Sequence, residues 1–96
     1  MDHRAKLLRE AWVGDAVLTL WARLYILRQT GAIDGAAAVR MTSNNFLGAV
    51  GNPDAVEAEI GRVFEGQGLE AAYAWIEQRL LPMYQRQEQN RGRKRS

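Results

Sequence analysis

The chain has no cysteine, so disulfide bonds and thiolate metal sites are both excluded. It has only two prolines and a single histidine, His3, which lies at the amino-terminal edge where nucleophilic or metal chemistry is poorly supported. No apolar run reaches the roughly 18 to 20 residues that a membrane span needs, because Asp15 and Arg23 interrupt the best stretch. The opening Met1-Asp2-His3-Arg4-Ala5-Lys6 lacks the layout of a signal peptide, and a cytoplasmic protein is the default expectation. No strand-like alternation and no internal repeat is found. Gly66-Gln67-Gly68 has neither a following lysine nor a preceding strand, which argues against a phosphate loop and a nucleotide cofactor.

What is present is one domain of ordinary globular composition, 47% apolar and 25% charged over 96 residues. The charge is uneven. Residues 1–85 carry eight Arg or Lys against ten Asp or Glu, whereas residues 86–96 carry five against one. The expected organisation is therefore a helical body over 1–85 and a basic, flexible tail over 86–96. Arg91, Arg93, Lys94 and Arg95 of that tail suit a polyanion such as RNA, although charged termini are as often simply solvated.

The sequence reads as helix throughout. Lys6 to Gln29 contains strong helix formers and no proline, and Thr30-Gly31 supplies a stop. Asp34 is a plausible N-cap for a second helix running from Ala36 to about Val50, with a kink near Thr42-Ser43-Asn44 where side chains compete for backbone hydrogen bonds. Gly51-Asn52-Pro53-Asp54 marks a new start, with Asn52 as cap, Pro53 in the first turn and an acid favoured by the helix dipole. That helix ends at Gly66-Gln67-Gly68. From Leu69, the stripe Ala72, Trp75, Ile76, Leu80 fits a core-facing helix that Pro82 kinks or ends, with room for a further turn or two over Met83 to Gln89 and flexible chain from Asn90. The fold class is all-α, a bundle of four or five helices.

The first helix organises the rest. Between Ala11 and Ala22 its only charge is Asp15, and a lone carboxylate in an apolar run is costly to bury unless a cation or strong hydrogen bonds compensate it. Apolar residues cover more than one face, so the helix must be buried on nearly all sides. A homodimer meeting through Trp12, Val13, Ala16 and Leu20 would achieve this; the competing arrangement is a central helix wrapped by its own neighbours.

Asp54 and Glu57 are three residues apart and project from one helical face. Gly14 adjoins Asp15, and Gly61 lies one turn after Glu57. Glycine within a helix costs roughly 1 kcal/mol against alanine, so the two point to a close backbone crossing that would bring the three acids together. Oxygen-rich sites of this kind suit Mg²⁺ or Mn²⁺. The plain alternative is that Asp54 serves the helix dipole, Glu57 is solvated and Asp15 bonds locally.

These residues carry a resemblance. Trp12-Val13-Gly14-Asp15-Ala16-Val17-Leu18 resembles the signature helix of the ribonuclease III family, and Asp54-Ala55-Val56-Glu57-Ala58 with Ile60-Gly61 resembles its second acidic helix. Arg40 to Leu47 is similar in kind to the middle helix between them. The resemblance covers about Leu7 to Leu81 and is closest to the Mini-ribonuclease III branch, which likewise lacks a separate double-stranded-RNA-binding domain. It implies a homodimeric endoribonuclease that cleaves double-stranded RNA in RNA maturation, with Asp15 and Glu57 binding Mg²⁺ or Mn²⁺ and Asp54 supporting that metal or a second one. Larger family members have a glutamate four residues before the aspartate, where this chain has Ala11; Glu10 is turned about 100° away and is no replacement. The middle region is also short, with only Gly51-Asn52 between the middle helix and the acidic one. A chain of this kind that has lost efficient catalysis would persist as an RNA-binding or assembly subunit.

Overall fold

Six helical segments follow one another in a computed structural model that describes residues 2–94, the side chains of 92–94 excepted. They are α1 (His3–Thr30), α2 (Gly35–Thr42), α3 (Asn44–Gly48), α4 (Pro53–Gln67), α5 (Leu69–Arg79) and α6 (Leu81–Lys94). No strand occurs among the described residues. Counting α2 and α3 as one broken helix gives five, as the sequence suggests.

Each boundary has a local chemical cause. The Asp2 side chain accepts a hydrogen bond from the Ala5 amide at 2.7 Å and opens α1. Gly31, at φ 72°, closes it in the left-handed conformation, its amide donating to the Leu27 carbonyl. Asp34 caps α2 by accepting from Ala37 at 3.0 Å, and Asn52 caps α4 by accepting from Ala55 at 3.1 Å, with Pro53 in the first turn. The kink expected near Thr42-Ser43-Asn44 is a full break. Ser43 is extended, at ψ 154°, and its Oγ accepts from the Phe46 amide, so that it ends one helix and caps the next.

The long α1 is the spine, and α4 crosses it as the principal partner. Their contact buries Leu18, Ala22 and Ile60; α2 and α3 add Met41, Phe46 and Leu47, and α5 adds Ala72 and Ile76. Trp21 stacks on Tyr25 with ring centroids 5.2 Å apart, and the Trp21 indole donates to Glu77 on α5 at 3.2 Å.

The carboxy-terminal segment departs from expectation. The further turn or two open to Met83–Gln89 is a helix that runs on through residue 94, where flexible chain is expected. The run from Met83 to Arg91 contains no glycine or proline, and its base is anchored: Tyr84 meets Tyr25 and Phe46 edge-on at 6.4 and 6.2 Å. One turn further on, Arg40 of α2 donates to both carboxylate oxygens of Glu88 at 3.1 and 3.3 Å.

Of the two arrangements open to α1, a central helix wrapped by its own neighbours is not the one observed. Its apolar circumference is not covered within one chain: Trp12 is 81% exposed, Leu20 and Leu27 are each 44% exposed, and Ala16 is exposed. Val13 is half-buried against the core. No helix among the described residues is long and apolar enough to cross a membrane.

Candidate functional site

The glycine crossing fixes where the acids lie. A Cβ atom on Gly14 would collide with the backbone carbonyl of Glu57, and one on Gly61 with the backbone carbonyl of Glu10. Neither obstacle is a flexible side-chain end that could swing away. The two helices therefore touch backbone to backbone, and no other residue type fits at either point without moving one of them. Asp15, next in sequence to Gly14, is thereby delivered beside Glu57.

The side chains of Asp15 and Glu57 lie within hydrogen-bonding range of each other, and the charge of Asp54, one turn before Glu57 on α4, is felt at the same place. Asp15 is not buried in the apolar run that surrounds it in sequence. Asp15 and Asp54 are exposed, whereas Glu57, at 9% exposed, is the charged side chain buried among the described residues. The carboxylate whose burial needs compensation is thus Glu57, not Asp15. The periodicity of α1 leaves residue 15 on its open side, while α4 turns residue 57 into the crossing.

This environment raises the Glu57 carboxyl to about 8. Burial is the largest cause, followed by the hydrogen bond with Asp15, the Asp15 charge and the Asp54 charge. With its carboxyl raised to about 8, Glu57 keeps its proton at neutral pH. Two carboxyl groups sharing one proton in this way would exchange it readily for a cation of higher charge.

Comparison with protein families, curated proteins and solved structures finds no match.

The neighbouring residues sharpen the picture. Glu10 accepts from Arg62 at 3.0 Å, so it is engaged in tying α1 to α4 and is not a fourth acid of the cluster. Arg62 also pairs with Glu59 one turn away. Among the described residues no group of three or more His, Cys, Asp or Glu side chains is gathered tightly enough to enclose a metal ion. The donor set is consequently a touching pair, Asp15 and Glu57, with Asp54 as a more distant third. Mg²⁺ is commonly held in proteins by one or two carboxylates plus waters and substrate phosphate, so the pair is of a kind that fits it.

The other sites expected from sequence are scattered. Of the basic residues, Arg91 is exposed on α6 and lies 3.8 Å from Glu88. Arg93 and Lys94 fall on α6 without described side chains, and Arg95 lies outside the described residues. Trp12, Ala16 and Leu20 share the open face of α1. A feature that sequence reasoning missed adjoins that face. Leu27, Ile33 and Val39 line a groove of about 640 Å³ between α1 and α2, together with Arg23, Ile26 and Ala38. The signal available for it was Ile33, an apolar residue in an otherwise polar turn, which is 93% exposed.

Proposed function

We propose that this chain is a metal-dependent endoribonuclease of ribonuclease III type, working as a homodimer on structured double-stranded RNA in cytoplasmic RNA maturation. The observation that carries the reading is the contact between the carboxyl groups of Asp15 and Glu57 at a backbone crossing that only Gly14 and Gly61 permit. A buried glutamic acid beside two further acids does little for stability, since burial and like charge both oppose its ionisation. Such an arrangement is readily understood as a site whose natural occupant is a cation.

In this reading Asp15 and Glu57 hold Mg²⁺ or Mn²⁺, and Asp54 supports the ion through its charge. When bound, the ion supplies the Lewis acidity that phosphodiester hydrolysis requires. Glu57 must release its proton to become a ligand, and its buried position fixes the geometry of the carboxylate once it does. Asp15, on the open face, meets the solvent side of the site, where the RNA backbone would approach. The three acids repel phosphate, so basic residues must supply affinity; Arg91, Arg93, Lys94 and Arg95 at the end of the chain are assigned that role.

A second reading, a non-cleaving RNA-binding or assembly subunit, is favoured by the small donor set and by Ala11, which leaves the turn before Asp15 without a carboxylate. Incubation of duplex RNA with the protein and Mg²⁺, beside Asp15→Asn and Glu57→Gln, separates the two. Cleavage by the unaltered chain and not by either variant supports the enzyme. Binding without cleavage, equal in all three, supports the subunit. Absence of both at low salt removes RNA from the account.

A further inference from the structure

Helix α6 carries its attachments on one side. Tyr84 and Glu88, one turn apart, meet Tyr25, Phe46 and Arg40, and Arg91 lies 3.8 Å from Glu88 on the same flank. On the opposite side Arg86, Gln89 and Asn90 fall within a sector of about 100°, and position 93, also arginine, repeats the register of Arg86 two turns later. Arg86, Gln89 and Asn90 are all exposed. No apolar residue stands between Arg86 and Arg91, and the outer face carries no acid. Glu88, the one acid of residues 81–96, is turned inward to Arg40; the next acid back along the chain, Glu77, accepts from the Trp21 indole at 3.2 Å. This half of α6 adds nothing to the core, so packing does not account for its composition.

From this arrangement we infer that the outer face of α6 lies across the minor groove of an RNA duplex, the Gln89 and Asn90 amides reaching ribose 2′-hydroxyls and the Arg86 guanidinium a phosphate at the rim. The inference deepens the RNA reading of the preceding section and does not rest on cleavage. The chemistry of the face selects this partner. An amide offers donors and an acceptor together, which suits a hydroxyl that both gives and accepts a hydrogen bond. A guanidinium matches phosphate through two parallel hydrogen bonds. An A-form duplex presents its 2′-hydroxyls in a wide, shallow minor groove open to a rigid helix, whereas its major groove is too deep and narrow for side chains to read. The amides lie about 5 Å along the helix from Arg86, so both kinds of contact are made side by side. A protein interface or a membrane surface needs apolar anchors, and this face has none. The inference also shifts the leading role at the basic end of the chain from Arg91, drawn towards Glu88, to Arg86.

The test uses the full chain with a chelator present, so that binding is read without cleavage. Fluorescence anisotropy at low salt should show a labelled RNA duplex bound at least about tenfold more tightly than a DNA duplex of the same sequence, or than either RNA strand alone. Arg86→Ala should weaken binding of the RNA duplex about fivefold or more and reduce the salt slope by about one, as loss of one phosphate contact requires. Gln89→Ala combined with Asn90→Ala should bring RNA affinity down to that of DNA while leaving DNA binding unchanged. Arg4→Ala removes an exposed charge about 30 Å along α1 from Tyr25, where α6 is attached, and should alter neither. Helical circular dichroism should be the same in every variant, since each altered side chain is exposed. Equal affinity for the two duplexes overturns the inference, as does a preference for the single strand or RNA selectivity that survives loss of both amides. Cleavage of duplex RNA with Mg²⁺, undiminished in the Arg86 and amide variants, would sink this inference and leave the nuclease reading standing. Selective binding that those variants abolish, with no cleavage by the unaltered chain, would do the reverse. Absence of binding to either duplex removes both.

Discussion

The backbone carbonyl of Glu57 occupies the space in which a side chain on residue 14 would begin, so the α1–α4 crossing is set by the absence of two side chains. Gly14→Ala should cost about 3 kcal/mol or more, or abolish folding, because neither backbone can relax without pulling apart the core between Leu18 and Ile60. Gly66→Ala is the control. A Cβ there meets nothing within 4 Å, and the gain in helix propensity should leave stability unchanged or raise it by up to about 1 kcal/mol. Urea denaturation of both variants measures the contrast.

The raised Glu57 carboxyl makes the stability of the metal-free protein depend on pH. Between about 4.5, its ordinary value, and about 8, the folded chain keeps a proton that the unfolded chain has lost. Stability therefore falls as pH rises through that window and levels off above it. Glu57→Gln should flatten the profile and be the more stable protein at pH 8 by roughly 1 to 2 kcal/mol, allowing for solvent near the carboxyl. Thermal melts from pH 5 to pH 9 in the presence of a chelator read this directly; a profile identical in the two proteins would place the titration elsewhere.

Divalent ions should act on the same group in the opposite direction. If Mg²⁺ or Mn²⁺ displaces the shared proton, the rise in melting temperature on adding millimolar ion should be larger at pH 8.5 than at pH 6.5. Asp15→Asn and Glu57→Gln should each remove most of it. An equal rise at both pH values, surviving both substitutions, would mean that the ion binds elsewhere.

The last helix is attached by two contacts of unequal strength. Arg40 and Glu88 are both partly exposed, and Arg40→Ala should cost no more than about 1 kcal/mol. Tyr84, 9% exposed between Tyr25 and Phe46, should cost about 2 to 4 kcal/mol as Tyr84→Ala and should release α6. Hydrogen exchange of the amides from Gln85 to Arg91 distinguishes local release from general weakening.

Those contacts also show what could and could not be read in advance. The caps at Asp34 and Asn52, the stop at Gly31 and the crossing at Gly14 and Gly61 were legible because each depends on one residue's own backbone or hydrogen-bonding chemistry. Ser43 was harder to place: it was evident as a weak point, but whether a hydroxyl bends a helix or caps a new one depends on what packs behind it, here Phe46 and Leu47. The apolar run around Asp15 suggests a buried carboxylate, yet Asp15 is exposed and the buried one is Glu57, on which the sequence is silent. A helix apolar on most sides does not reveal which side meets solvent, and that choice is made by α4, far away in sequence. The continuation of helix beyond Gln89 was hidden for a similar reason. Composition recorded the basic charge there, but the tyrosine cluster that seeds the helix draws on Tyr25 and Phe46, from two other elements.

A buried glutamic acid that must give up its proton to be useful also sets a direction of change. Exchanging residue 57 for an uncharged side chain of the same shape should make the molecule sturdier and leave its outline intact, while any chemistry done there would be extinguished. Nothing in the scaffold would register that loss. A retired form of this domain and a working one could then be superimposed atom for atom along the backbone, and only the titration of a single carboxyl group would tell them apart.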